Sequence, residues 1–538
     1  MGRRFRWQNT AFLFIVFIGV ARIAATYSSI VHTVDEPIQI ACGLEWLEQH
    51  NFTFDKQHPP LPRIAAAIGA KLAGVKLVNN DSVLDAHLML YEAPSYERAI
   101  AWARAGELPF FVLGATAVWL WSRKLHGDWA ALASVLLFTS LPPVLAHAGL
   151  ANTDIATCGT LIAAVYAWII WLEDCNLRNT FFLGLFAALG FLSKFTFIVF
   201  FPLLAVTALV LTRRWRGERR WLSLAGSFAL FCFIVWGFYW FRFTPVSTVE
   251  ESWGFIPMLP KVVQKIITNR PAITLPAGFI YEGLLEARRH TFDGHRSYLF
   301  GKYSSHGWWF FFPVVLFFKN TLPFLILAVS SPYWLRRLNR PKWIPFVGAV
   351  LILLSVLPAS INLGIRHILI IPALLTIPAG LVLSRLLLAS SKPLQLTGAV
   401  LLLWHLGAGI RSHPNYISYF NELALEPEYI RIDSDLDWGQ SAKQAADALM
   451  ARRDKAPFGV SFWGTSDMWR HGLGENGNYV ANPWRPTAGW LAISASQRFM
   501  PFDPRPPGEI RPPWWWLKGI EPTERLVGGA VLLYYVPK

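Results

Sequence analysis

Long apolar runs recur along the chain, separated by short polar breaks, and they set the first expectation about its fold. A helix that crosses a bilayer needs roughly 20 mostly apolar residues. Runs of about that length lie near 8–26, 105–121, 129–147, 154–172, 179–193, 195–211, 222–243, 308–335, 343–359, 366–385 and 394–410. The pattern predicts a mainly α protein, a polytopic membrane helix bundle of about 11 spans. Segments 179–193 and 195–211 are short enough to be read as one helical hairpin around Lys194. After 410 the pattern changes. "IRIDSDLDWGQSAKQAADALMARRDKAPFGVSFWG" reads as a helix followed by a strand, and "GWLAISAS" and "RLVGGAVLLYYV" as further strands. Residues 1–410 are therefore expected to form a membrane domain and 411–538 a small soluble α/β domain.

Composition supports the membrane reading. The 538 residues are 54% hydrophobic and 15% charged, with mean hydropathy +0.36, whereas soluble domains carry about 25% charged residues. The net charge of +15 does not form one patch, so no nucleic-acid partner is expected. The bases instead gather between apolar runs, as the positive-inside rule requires. Arg3, Arg4 and Arg6, "SRKLHGD", "RRWRGERR" and "RRLNRPK" alternate with connections such as the base-free "HAGLANT". With the N-terminus inside, the large segments 27–104 and 244–307 and the tail after 411 all fall outside. Within the first, "RIAAAIGAKLAGVKLV" is helical but too short to span, and is expected to lie in the membrane interface. The first apolar run lacks a small-residue cleavage site and reads as a retained span. Four cysteines with no CxxC spacing point to no zinc ribbon and no redox motif.

Charge at the end of an apolar span is costly and asks for a reason. Such residues map to the outer side: Asp35 and Glu36 after the first run, Asp154 at the head of the fourth, Lys194 between the fifth and sixth, and Arg366 with His367 at the head of the tenth. His58 and Arg63 lie in "HPPLPR" of the first outer loop. Taken singly, each carboxylate reads as a helix cap that offsets the helix dipole. Lys319, deeper in the eighth run, reads as snorkelling or paired. Gathered on one face, acids and cations together describe a site for an anionic group and a proton acceptor.

These residues sit in motifs that resemble a known family. "DEPIQIACGLEWLEQHNFTFDKQHPPLPRIAAAIGAKLAG" is similar to the first outer loop of lipid-carrier-dependent membrane glycosyltransferases of the GT-C type. The likeness is greatest to the protein O-mannosyltransferases of glycosyltransferase family 39. "LANTDIATCG", "ALGFLSKFTFIVFFPL" and "GIRHILIIPALLTIPAG" resemble the family's later outer segments, and "HPNYISYFNELA" and "DSDLDWGQ" the tail of a bacterial branch. The resemblance implies a catalytic loop outside the membrane and a sugar donor linked through phosphate to a polyprenol. It carries the catalytic aspartate over to Asp35, its neighbour to Glu36, and the acid of the next outer loop to Asp154. Arg63 stands where the mannosyltransferases often have lysine. The tail does not resemble their β-trefoil insert, which leaves the acceptor open among protein, lipid and glycan.

The chemistry of such a transfer is compatible with these residue types. A polyprenyl phosphate leaves without a general acid, so the requirement is fixed cations that stabilise the departing charge in a dry site. Arg63, Lys194 and Arg366 are the candidates, with His58 and His367 beside them, arginine being suited to bidentate phosphate contact. Asp35 would take the acceptor proton. One base and one leaving phosphate imply inversion, since retention wants a second carboxylate as nucleophile. Asp35, Glu36, Asp154 and His58 would also suit a divalent ion, but three cations make a metal dispensable and none is expected. The alternative of another class is a secondary transporter of an anionic or sugar-like solute. A transporter would show internal repeats and charges near the midplane rather than at one mouth. A multi-pass protein of a bacterial inner membrane, with site and tail outside, is the resulting expectation. Trp514, Trp515 and Trp516 in the tail suit lipid headgroups, a sugar face, or packing on the bundle.

Overall fold

The computed structural model describes residues 7–77, 86–213, 219–245, 274–452, 458–473, 479–500 and 511–537. Arg3, Arg4 and Arg6, the centre of "RRWRGERR", and residues 246–273 of the second outer segment lie outside these.

Each apolar run folds as helix, but not each as one crossing. Among the described residues six helices are long and apolar enough to span: Trp7–Ala24, Tyr96–His126, Thr153–Glu173, Arg220–Phe238, Ile370–Leu387 and Lys392–Arg411. Two further runs are broken. Asp128–Ser140 and Pro142–Ala148 meet at 62°, where Pro142 and Pro143 interrupt the backbone ladder, and Phe311–Lys319 and Leu322–Leu335 meet at 118° across Asn320 and Thr321. Counting each bent pair once gives up to eight spans by length and composition, against the eleven expected. Helices Leu177–Ser193, Phe197–Thr212 and Ile344–Val356 account for the rest and are shorter. The first two stay separate because Lys194, in extended conformation, ends the former.

The segment after the first apolar run is a helical layer of its own. Helices Glu36–Gln49, Leu61–Leu72 and Tyr96–Ala105 pack together around Ile40, Leu44, Ala66, Ala67, Ala70, Ala99 and Ala103. Gly43 lies against the Arg63 carbonyl and Gly69 against that of Trp102, so close that a Cβ on either glycine would overlap the backbone. The alanine-rich stretch is therefore packed on its small residues, while Ile68 and Leu72 remain exposed on its other side.

The tail does contain helices and strands. Its sheet has five strands in the order Tyr479–Val480, Phe458–Ser461, Gly489–Ser494, Val531–Val536, Glu524–Leu526. Phe458–Ser461 is parallel to both its neighbours and the remaining pairings are antiparallel. Trp514 is buried against this sheet with Leu491, Leu517 and Leu532, and its indole donates to the Gln497 carbonyl at 2.9 Å. The Trp cluster thus serves the sheet's own core rather than the bundle.

Residues 431–440, ahead of this sheet in the chain, are largely buried and pack against the helices. Lys319 does not snorkel: it is buried, and its ammonium donates to the carbonyls of Ile417, Tyr419 and Asp435 at 2.7, 2.5 and 2.6 Å. Its three donors are all used on the tail's backbone. Further along, Val31 donates to the Gln440 carbonyl and Val34 to that of Trp438, both at 3.1 Å. Tail and first loop are joined there by backbone hydrogen bonds, directly before Asp35.

His32 strengthens this junction. Its Nδ1 lies 2.8 Å from the Tyr96 hydroxyl and its Nε2 3.1 Å from the Thr465 hydroxyl. Burial pulls its pKa from 6.5 down to about 4, with the charge of Glu36 pulling the other way. The unfolded chain therefore takes a proton between pH 6.5 and 4 that the folded one refuses, and stability present above pH 6.5 is lost as pH falls through that window. The midpoint of thermal unfolding should fall over this range, and less steeply in His32→Asn. Parallel slopes for the two proteins would remove His32 from the acid response.

Candidate active site

The helix that carries Asp35 begins directly after it. An N-cap aspartate normally accepts a first-turn N–H, yet Asp35 makes no such bond. Its carboxylate turns instead to Arg366, with Nη1 to Oδ2 at 2.8 Å. Arg366 sits in the turn Ile365–Ile368 ahead of helix Ile370–Leu387. Gly364 (φ +113°) opens that turn, where a Cβ would meet the Asp435 carboxylate, and the Ile365 N–H donates to Asp435 at 2.9 Å. The guanidinium lies over the Trp438 ring, 4.3 Å from its centroid. Its Nε is buried and has no hydrogen-bond partner among the described residues. The side chain of Arg366 is 12% exposed and that of Asp35 32%.

Both line a cavity of about 720 Å³ together with His58, Lys194 and His367. Its lining combines polar residues, among them Gln39, Asp55, Asn152, Thr153, Glu286, His290 and His295, with apolar ones, among them Phe195, Val199, Phe200, Phe312, Val356 and Ile361. Val199, in helix Phe197–Thr212, lines the cavity and is also 56% exposed. Burial pulls His58 down to about 3, with Lys194 and Arg63 adding to the effect. His367 is likewise held well below the usual range by burial and by Lys194 and Arg366. Both imidazoles are neutral at physiological pH, so the charges on the cationic side are Lys194 and Arg366.

Three expected site residues face away from the cavity. Glu36 is fully buried, clasped by Arg104 from Nε to Oε1 at 2.8 Å and from Nη2 to Oε2 at 2.9 Å. It also accepts the N–H groups of Thr33 and Ala151. Burial alone would raise its pKa, but Arg104 and these amides hold it below the usual carboxylate range. Arg63 is spent in the same way: it donates to Gln39, to the carbonyls of Asp55 and His58, and to the Asp55 carboxylate. It shapes the "HPPL" loop and has no fork left for a phosphate. Asp154 is not a cap, because Asn152 fills that role by accepting from Thr153. It accepts from Lys194 Nζ at 2.8 Å, with His147 3.6 Å away, and so fixes the ammonium that reaches the cavity. The four ligands imagined for a divalent ion do not converge, and among the described residues no group of three or more His, Cys, Asp or Glu side chains is placed to hold a metal.

Sequence reasoning missed Arg104, Asn152, Trp438 and the helix Phe279–Asp293 that brings Glu286 and His290 to the rim. Arg104, a base beside an apolar run, offered a signal, and Asn152 and Trp438 lie within the quoted motifs "LANTDIATCG" and "DSDLDWGQ" without having been singled out.

The whole chain superposes on ArnT from Cupriavidus metallidurans bound to undecaprenyl phosphate, with a TM-score of 0.51, 12% identity, and 97% of each chain covered. The chain has the GT-C fold. This makes it a multi-pass integral membrane protein. The GT-C likeness extends to the apo form of the same ArnT (TM-score 0.49, 13% identity, 91% of this chain and 94% of that one). It is also found in the oligosaccharyltransferase AglB from Archaeoglobus fulgidus in complex with an inhibitory peptide and a dolichol-phosphate (0.47, 12%, 91% and 70%). In sequence, residues 103–240 match the family described as dolichyl-phosphate-mannose-protein mannosyltransferase. No protein of curated function matches the chain.

Proposed function

We propose that the protein is a glycosyltransferase that moves a sugar from a polyprenyl-phosphate donor to an acceptor hydroxyl at the outer face of a bacterial inner membrane. The observation that carries this is the pairing of Asp35 with Arg366 in a cavity whose lining combines cations with apolar side chains. The apolar lining, with Val199 both in the cavity and exposed, suits a prenyl chain entering from the bilayer. Lys194 and Arg366 suit its phosphate, and Arg366 Nε stands ready as an unused donor. The acceptor enters over the polar rim. Asp35 takes the hydroxyl proton, the acceptor oxygen bonds to the anomeric carbon, and the bond from that carbon to the phosphate oxygen breaks, releasing polyprenyl phosphate. Asp154, the other acid expected to take part, is committed to Lys194 and His147, which favours single displacement with inversion. Glu36, Arg63 and Asp154 act as positioning residues. Residues 411–538 would stand outside as a unit that completes the site.

Transfer of radiolabelled sugar from a polyprenyl-phosphate donor by purified protein tests the activity, and ion-dependent uptake into sealed vesicles tests the transporter alternative. Arg366→Ala should weaken donor binding by about ten- to a hundredfold, the loss of a charged hydrogen-bonding partner. Arg366→Lys should weaken it less, keeping the charge without the planar fork. Equal donor affinity in wild type and Arg366→Ala would leave Arg366 with a structural role only.

A further inference from the structure

Helix Ile370–Leu387 starts beside the catalytic cavity and, at about 1.5 Å per residue, ends some 27 Å away. A second cavity, of about 390 Å³, lies at that far end, and nothing in the transfer reaction uses it. It is lined by His126 at the end of one helix, Lys342 in the turn Arg340–Trp343, and Arg385 in the last turn of Ile370–Leu387. Among the described residues neither Lys342 nor Arg385 has an acidic partner. Both ring nitrogens of His126 are buried and without a hydrogen-bond partner.

A third kind of donor points into the same space. Helix Asp128–Ser140 begins at this cavity after Gly127, with no side chain capping it. The first backbone bond back into the cap is from Ala131 to Gly127, so the first-turn N–H groups are left for another acceptor. The one acid there, Asp128, is drawn to Arg123 at 2.5 Å. Two cations, an open helix N-terminus and an unpartnered imidazole form a receptor for a multi-oxygen anion. The remaining wall includes Leu381 and Leu388, and Trp129 at the mouth is more than half exposed, the composition of a membrane–water boundary.

We propose that this cavity binds a phosphate ester, the headgroup of an anionic phospholipid in the leaflet opposite the catalytic site. A lipid held there would anchor the far end of the helix whose near end carries Arg366.

The test uses full-length protein in nanodiscs of phosphatidylcholine, of phosphatidylcholine with phosphatidylglycerol, and of phosphatidylcholine with added inorganic phosphate. Thermal stability is followed in each, and retained lipid is counted by native mass spectrometry. Wild type should be stabilised by phosphatidylglycerol and should retain it, with affinity about tenfold or more weaker in Lys342→Gln/Arg385→Gln. Arg337→Gln, an exposed base on the same stretch, should behave as wild type, and His126→Asn should show a partial loss if the double variant proves unstable. Stabilisation by inorganic phosphate alone would keep the anion site and assign it to a soluble ligand. No effect of either anion, or equal lipid retention in wild type and both cavity variants, would overturn the proposal.

Discussion

Asp35→Asn should lower sugar transfer by about 10²–10⁴-fold, the usual contribution of a positioned general base, while the thermal midpoint changes little. The amide keeps the shape of the carboxylate and can still contact Arg366, but it cannot accept a proton. The partly exposed ion pair lost in the exchange contributes about 1 kcal/mol or less. Donor affinity should survive, so the deficit belongs to kcat rather than to binding. A folded Asp35→Asn protein with near-normal turnover would remove Asp35 from the mechanism and leave inversion without a base.

Its neighbour should fail for the opposite reason. Glu36→Gln leaves the Arg104 guanidinium fully buried with no counter-charge, a loss of about 3–5 kcal/mol for a broken buried pair. Expression and thermal midpoint should drop together, with activity lost because residues 30–36 are no longer held. Arg104 also donates to the carbonyls of Ile30 and Val31, so the same guanidinium fixes the segment leading into Asp35. Pairing Glu36→Gln with Arg104→Gln should restore part of the stability, since no lone charge remains. If Glu36→Gln alone matches wild type in thermal midpoint, the clasp contributes nothing to folding. Burial gives the two acids different failures.

The contrast shows what kind of information a sequence carries here. Apolar length located the helices of the bundle, and charge at helix ends located Asp35, Lys194 and Arg366, because both signals are local. Breaks within runs leave a fainter mark: the prolines at 142 and 143 stand at one, and Thr321 as N-cap with Pro323 stands at the 118° turn. What charge alone does not reveal is the partner. Arg63 and Arg366 look alike as bases near outer loops, yet one is consumed by Gln39, Asp55 and His58 while the other keeps a free Nε. Pairings such as Arg366 with Asp35, 331 positions apart, come from packing that no local window contains. The buried tail residues Asp435 and Trp438 were read as a family motif, but their position under the site depends on Lys319, whose carbonyl partners leave no trace in composition.

Lys319 binds the backbone of residues that are made after every helix of the bundle. A nascent or prematurely terminated chain ending before residue 431 would possess all the helices and both cations, but no Trp438 beneath Arg366 and no Asp435 to hold the turn at Gly364. Such a chain would sit in the membrane as an inert precursor. Transfer would begin only when translation is complete and the last segment has folded back onto the bundle, so that no partly synthesised copy draws on the lipid-linked sugar pool.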